Sequence, residues 1–299
     1  MSVATDLAAV PDLGTGRGRV WRRLRHEPLG MVGLALIALV VLAGVVGPFV
    51  APYGPAETHF DAPFQQPGTI GYVLGTDDLG RDILTRTLYG IRVSLQVGLL
   101  SVALAVVVGT PLGLVAGYWR RLDGVVSRLT DVALAFPFLI LAVGLAAING
   151  PSLGNAVLAI GISHVPGMIR IVRGETLRIA ASDFVLSART MHAGGVRIMA
   201  QHVLPNAVSA IVVQATVIMP VAVIGEAVLS FLGLGIRPPT PSLGIMLSDA
   251  QQYLQRAPFA AVVPGASIAL ICLGFNLFGD ALRDALDPTA GSRRRGRAR

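Results

Sequence analysis

The stretch IAASDFVLSARTMHAGGVRIMAQHVLPN, Ile179–Asn206, is a polar island set between long apolar runs. Ser182 is an N-cap residue, and Asp183 puts a negative charge in the first turn, where the helix dipole favours it. Phe184, Ala188 and Met191 then recur at helical spacing and predict one apolar face. Gly194 and Gly195 predict the end of that helix, because glycine adopts left-handed backbone without steric cost. A second short helix is expected over Val196–Val203. It should stop before Pro205, because the residue preceding a proline resists helical geometry. The product is helix, sharp turn, helix. Its apolar knobs suit a groove in a soluble partner, or a bed of lipid headgroups; these residues alone leave both open.

The flanking runs set the class. The 299-residue chain is 53% hydrophobic and 14% charged, against about 25% charged in a soluble domain. About 20 apolar residues as a helix cross ~30 Å of hydrocarbon, and a helix satisfies its own backbone there. Strand-like alternation is absent, which argues against a β-barrel. Six apolar segments predict spans at Leu29–Val50, Ser94–Tyr118, Val132–Ile148, Ala156–Ile171, Ala207–Phe231 and Ala260–Phe278. The expected fold is an all-α membrane protein. Residues 1–28 form an N-terminal segment, 29–50 the first span and 51–88 an external loop with an amphipathic helix. Residues 89–283 form a five-span core containing the 179–206 loop, and 284–299 a basic tail.

All 24 basic residues are arginine. Without lysine there is no Walker A nucleotide site, whose lysine reaches the phosphates, and no Schiff-base chemistry. Cys272 is the one cysteine, so neither a disulfide framework nor a cysteine metal site is available. Arginine placement sets orientation. Nineteen lie before the first span, between the second and third, between the fourth and fifth, and after the sixth; Arg81, Arg86, Arg92, Arg237 and Arg256 lie on the other side. Both termini and the island are therefore expected in the cytoplasm. The first apolar run is too long for a cleaved signal peptide, so an uncleaved first span is expected.

Thr76–Asp82 does not meet the spacing of a calcium loop. A capped amphipathic helix with Asp77–Arg81 and Asp82–Arg86 pairs is expected there. Glu226 is the one acid well inside a span. Intramembrane acids face a bundle interior or a wet cavity, so it either meets a charged cargo group or ties neighbouring helices together, the second being favoured. Pro220 is expected to kink its span. The arginine-rich tail suits anionic lipid and not nucleic acid, since no aromatic or groove-reading element accompanies it.

Several blocks resemble a known family. The island resembles the EAA loop of ABC-importer permeases: Leu186-Ser187-Ala188 fall at EAA, His192 at the glycine, and Leu204-Pro205 at the closing LP, with the family's Glu and Gly missing. Leu74–Leu100, GTPLGLVAGYW (Gly109–Trp119), DVALAFPFLILA (Asp131–Ala142), GEAVLSFLGLGIRPPTPSLGIML (Gly225–Leu247) and FNLFGDALRDALDP (Phe275–Pro288) continue the likeness in order. The chain is similar to the C-type permease subunits of dipeptide/oligopeptide importers, whose relatives also carry nickel or glutathione.

The resemblance implies a type I importer fold in a prokaryotic inner membrane. It implies as partners a second, B-type permease subunit, two ATPases and an external solute-binding protein. ATP and magnesium would be bound by those ATPases, with no cofactor, metal or catalytic residue in this chain. Phe184, Leu186, Ser187, Ala188, Arg189, Met191, His192, Gly194, Leu204 and Pro205 are then the ATPase-coupling residues. Glu226 and Pro220 are pathway or interhelical residues, and Asp77, Asp78, Arg81 and Asp82 candidate contacts for the binding protein. A stand-alone secondary transporter would need its own coupling-ion site near the midplane; Glu226 alone argues against that.

Overall fold

Three glycines one turn apart set the central packing of the molecule, a computed structural model that describes residues 22 and 24–286. The segment 1–21 and the arginine string after residue 286 lie outside the described residues, as does the tail's expected lipid contact. The helices are α1 (Pro28–Val50), α2 (Ile83–Tyr118), α3 (Arg120–Ala135), α4 (Phe138–Asn149), α5 (Leu153–Ala180), α6 (Asp183–Thr190), α7 (Gly195–Ile198), α8 (Leu204–Phe231), α9 (Leu243–Ala250) and α10 (Phe259–Leu286). A Cβ on Gly109 or Gly113 of α2 would stand 2.7 Å from the Cβ of Met168 or Val172 on α5, and Gly117 meets Thr176 in the same way. In lipid, where apolar side chains gain little by leaving their solvent, such small-residue seams let backbones pack closely.

Around that pair, α8 packs on both α2 and α5, while α1 lies between α2 and α10. Lipid is itself apolar, so the belt keeps large apolar side chains such as Leu42, Phe49, Leu99, Val107 and Leu270 on the outside. Five of the six predicted spans lie within α1, α2, α5, α8 and α10. Among the described residues these five stretches are long and apolar enough to cross a membrane, the α8 stretch beginning at Gly195.

The third prediction, Val132–Ile148, is not one helix. α3 and α4 meet at a bend of 80°. Pro137 forces the residue before it out of helical space, and Phe136 sits at φ −86°, ψ 118°. Counting the bent pair as one span gives six.

The outer segment also differs. Residues 51–82 form turns, and no helix begins until Ile83. Gly80 has φ +72°, and a Cβ there would collide with the His59 carbonyl, so the chain turns back across residues 77–82 instead of winding into a helix.

Candidate functional site

The island begins where α5 ends. Ser182 occupies the N-cap position of α6, but its hydroxyl donates back to the Ile179 carbonyl at 2.5 Å and does not cap the helix. The C-terminus departs from the glycine expectation. Gly194 has φ −62° and starts α7, while the left-handed residue is His192, at φ +58°. The Ala193 amide donates to Ala188 O and the His192 amide to Arg189 O, at 3.2 and 3.0 Å. This is a Schellman closure. Histidine stands in left-handed backbone more readily than most residues, and here it fills the place of the EAA loop's glycine.

The second half is a correction too. The helix does not stop at Pro205. α7 runs into a π-turn over Met199–Val203 and straight on into α8. The Leu204 amide reaches back five residues to Met199 O. The widened turn accommodates a proline that lacks its own N–H and would otherwise press on the preceding turn. Asn206 Nδ2 donates to His202 O at 2.6 Å, satisfying one exposed carbonyl. The loop is thus continuous with α8, and α5 joins α6 through two residues.

Side chains sort cleanly. Val185, Ile198 and Val203 are wholly buried, in one cluster with Val172, Ile179 and Ala207. Ala188, Ala193, Met199 and Leu204 pack against it. Tyr118 at the end of α2 supports the loop: Gly195 packs on its ring, and the Arg189 guanidinium lies 5.0 Å from the ring centroid. Phe184, Leu186 and Val196 stay exposed, and Met191 is 82% exposed. Ser187, Arg189, His192, Gly194 and Pro205 share that exposure. The predicted Phe184–Ala188–Met191 face therefore splits, Ala188 inward and the other two outward. The inward anchor that sequence reasoning missed is Val185; its i,i+3 relation to Ala188 was the available signal.

Above the island, the break between α3 and α4 opens a cleft of about 360 Å³, lined by Phe136, Phe138, Ser163, His164, Val221 and Ile224 among others. Toward the island, α3 is tied to α5 by Arg173 donating to both Asp123 oxygens (2.5 and 2.9 Å), and by Arg170–Asp131 at 3.5 Å. Sequence reasoning missed this cleft because it read Val132–Ile148 as one continuous span; Phe136-Pro137-Phe138 was the signal.

Glu226 is fully buried. Ser94 of α2 and Ser230 of α8 donate to its two oxygens at 2.7 and 2.8 Å, so it joins helices. Pro220 is buried inside α8, which passes through it as one helix.

The four outer candidates do not form an exposed face. Asp77 and Asp82 are buried. Asp77 Oδ2 takes Arg81 at 2.6 Å and Arg86 at 3.2 Å. The predicted Asp82–Arg86 pair does not form, because Asp82 caps α2 by accepting from the Thr85 amide at 2.7 Å. Asp249 of α9 closes the network, 3.3 Å from Arg81 and 3.5 Å from Arg86. Burial raises the Asp249 carboxyl above its ordinary range, against the pull of Arg86 and Arg81. Asp78, 39% exposed, keeps the most open side chain of these acids. Among the described residues no cluster of three or more His, Cys, Asp or Glu could hold a metal ion.

Residues 109–291 match the family described as binding-protein-dependent transport system inner membrane component, and residues 17–67 the N-terminal TM domain of oligopeptide transport permease C. The chain is 44% identical over 269 residues to the dipeptide transport system permease protein DppC of Alkalihalophilus pseudofirmus, covering 90% of this chain and 88% of that one. It is 42% identical over 274 residues to the di/tripeptide permease DppC of Pseudomonas aeruginosa (90% of each). Identity to the glutathione permease GsiD of Pectobacterium atrosepticum is 40% over 270 residues, covering 90% and 89%. In three dimensions it is similar to a chain of the MetNI methionine ABC transporter, with TM-score 0.57 and 20% identity over 67% of this chain and 96% of that one.

Proposed function

The chain belongs to the family of binding-protein-dependent transport system inner membrane components and is a permease subunit of an ABC importer; from that premise we propose that it forms half the pathway for di- and oligopeptides and is moved by partner ATPases through α6. The observation that carries the reading is the island's division of labour. Val185, Ile198 and Val203 fix it to the core, while Phe184, Leu186, Met191 and Val196 are left in the open. A groove on one of the ATPases covers them.

ATP, with its magnesium, is bound and hydrolysed by two ATPase subunits, not by this chain. Their closure pushes α6. Because the island is continuous with α8 and joined closely to α5, the push tilts both helices, and with them the wall of the cleft that α5 and α8 share with Phe136 and Phe138. This is rigid-body alternating access. A B-type permease subunit supplies the other half, and an external solute-binding protein delivers the cargo. The arginine count supports a cytoplasmic island and cytoplasmic termini, in a prokaryotic inner membrane. Peptide cargo is favoured because the two most identical relatives compared are named for dipeptides and tripeptides; the glutathione relative makes that tripeptide the natural competitor.

The test is ATP-dependent uptake of a labelled dipeptide by proteoliposomes holding both permease subunits, the ATPases and the binding protein, with glutathione as competitor. Ala188→Pro breaks α6 at a cost of about 3 kcal/mol. It should abolish uptake and ATPase attachment while membrane insertion persists. Full uptake in that variant counts heavily against the coupling role.

A further inference from the structure

Arg92 is exposed on α2 and makes no ion pair among the described residues. Its depth makes this notable. Gly44 of α1 packs against the Arg92 backbone, and Gly44 lies six residues short of Val50, the end of an apolar span. At 1.5 Å per residue that is about 9 Å inside the helix end. A guanidinium at that level extends toward the interface and seeks an anion. Beside it runs a groove of about 490 Å³ between α1, α2, α8 and α10, walled by Val41, Val45, Leu95, Leu99 and Phe275, with Arg92 and Gln96 as its polar lining.

We infer that this groove is a phospholipid site, in which an acyl chain lies along the wall and Arg92, with Gln96 beside it, holds the phosphate. The chemistry is one-sided. The groove offers two donor-bearing side chains at one place and apolar surface along the rest, matching a molecule with one anionic head and an apolar tail. Arginine is suited to phosphate, since its planar fork bonds two oxygens at once. A segment of a neighbouring protein would have to bring a carboxylate to the same spot.

The site is tested on the assembled transporter in vesicles of equal phosphatidylcholine and phosphatidylglycerol. A photo-crosslinking benzoylphenylalanine replaces Leu99. The expected product on illumination is this chain plus one phospholipid. Arg92→Gln should lower that adduct about fivefold, and Arg92→Lys should keep most of it, which separates loss of charge from loss of fold. An adduct of equal yield in Arg92→Gln overturns the proposal. So does a product in which Leu99 is joined to the second permease subunit, since the groove would then be a protein interface. The adduct forms whichever way the chain is inserted and whatever the cargo, so failure here is read separately from failure of the transport reading.

Discussion

Residues 51–82 and residues 181–203 both connect membrane helices, but they treat their difficult groups in opposite ways. The outer segment turns its charges inward. Asp77, Arg81 and Arg86 meet Asp249 of α9, and Asp82 is spent on capping α2. The inner segment anchors itself by Val185, Ile198 and Val203 and turns Phe184, Leu186, Met191 and Val196 outward. One region pairs these charges within the chain; the other leaves apolar side chains in the open. An exposed apolar patch on a loop with a packed base marks a partner, whereas a closed ion network marks a brace.

That contrast is broken most forcefully at Asp77. Asp77→Ala leaves Arg86, whose side chain is 5% exposed, with Asp249 alone at 3.5 Å. Removing one partner of a buried pair costs about 3–5 kcal/mol. The expected result is a sharp fall in the thermal midpoint of the purified complex, with normal ATPase binding in the fraction that folds. A midpoint equal to wild type would mean that the outer network braces nothing.

Met191→Glu sharpens the other side. The side chain is 82% exposed, so the fold should not register the change. If the partner groove covers it, a charge there costs more than about 1 kcal/mol of binding. ATPase co-purification should then drop several-fold at an unchanged midpoint. A normal complex would show that the outward apolar side chains of α6 face water and not a partner.

Much of this was legible in the residues, unevenly and for identifiable reasons. Spans with one long apolar run were placed correctly because hydrocarbon thickness fixes their length. The helix–turn–helix outline of the island was visible from Ser182, Asp183, the glycine pair and Pro205. Its joints were not, because each local rule has a competitor. Gly194 and Gly195 advertise left-handed backbone, yet His192 takes it once the amides of residues 192 and 193 close the helix end. Pro205 advertises a stop, yet a π-turn carries the helix past it. Hydropathy could not see the bend at Pro137, since Val132–Ile148 is apolar throughout. At Asp77–Asp82 the i,i+4 pattern was real for Asp77 and Arg81, but a reversing turn about Gly80 satisfied it in place of a helix. Arg86 also pairs with Asp77, and the second acid that both arginines share, Asp249, comes from α9, far away in sequence, which no spacing rule reaches.

The smallest effect probes how complete the outer brace is. The Asp249 side chain is 35% exposed, so solvent screens its ion pairs and their net worth is about 0–1 kcal/mol. Burial nevertheless raises its carboxyl, with Arg86 and Arg81 opposing. A raised folded value means that the native state binds this proton more tightly than the unfolded chain does. The group's contribution is then fully present below the ordinary aspartate value and is lost as pH rises through the raised one. Asp249→Asn stays neutral throughout and lacks that slope. From the ordinary carboxylate range upward, the wild-type thermal midpoint should therefore fall relative to that of Asp249→Asn, by the small amount a partly exposed group allows. Parallel curves would mean that Arg81 and Arg86 compensate the burial of Asp249 in full, making α9 as tightly tied to the outer loop as Asp77 is.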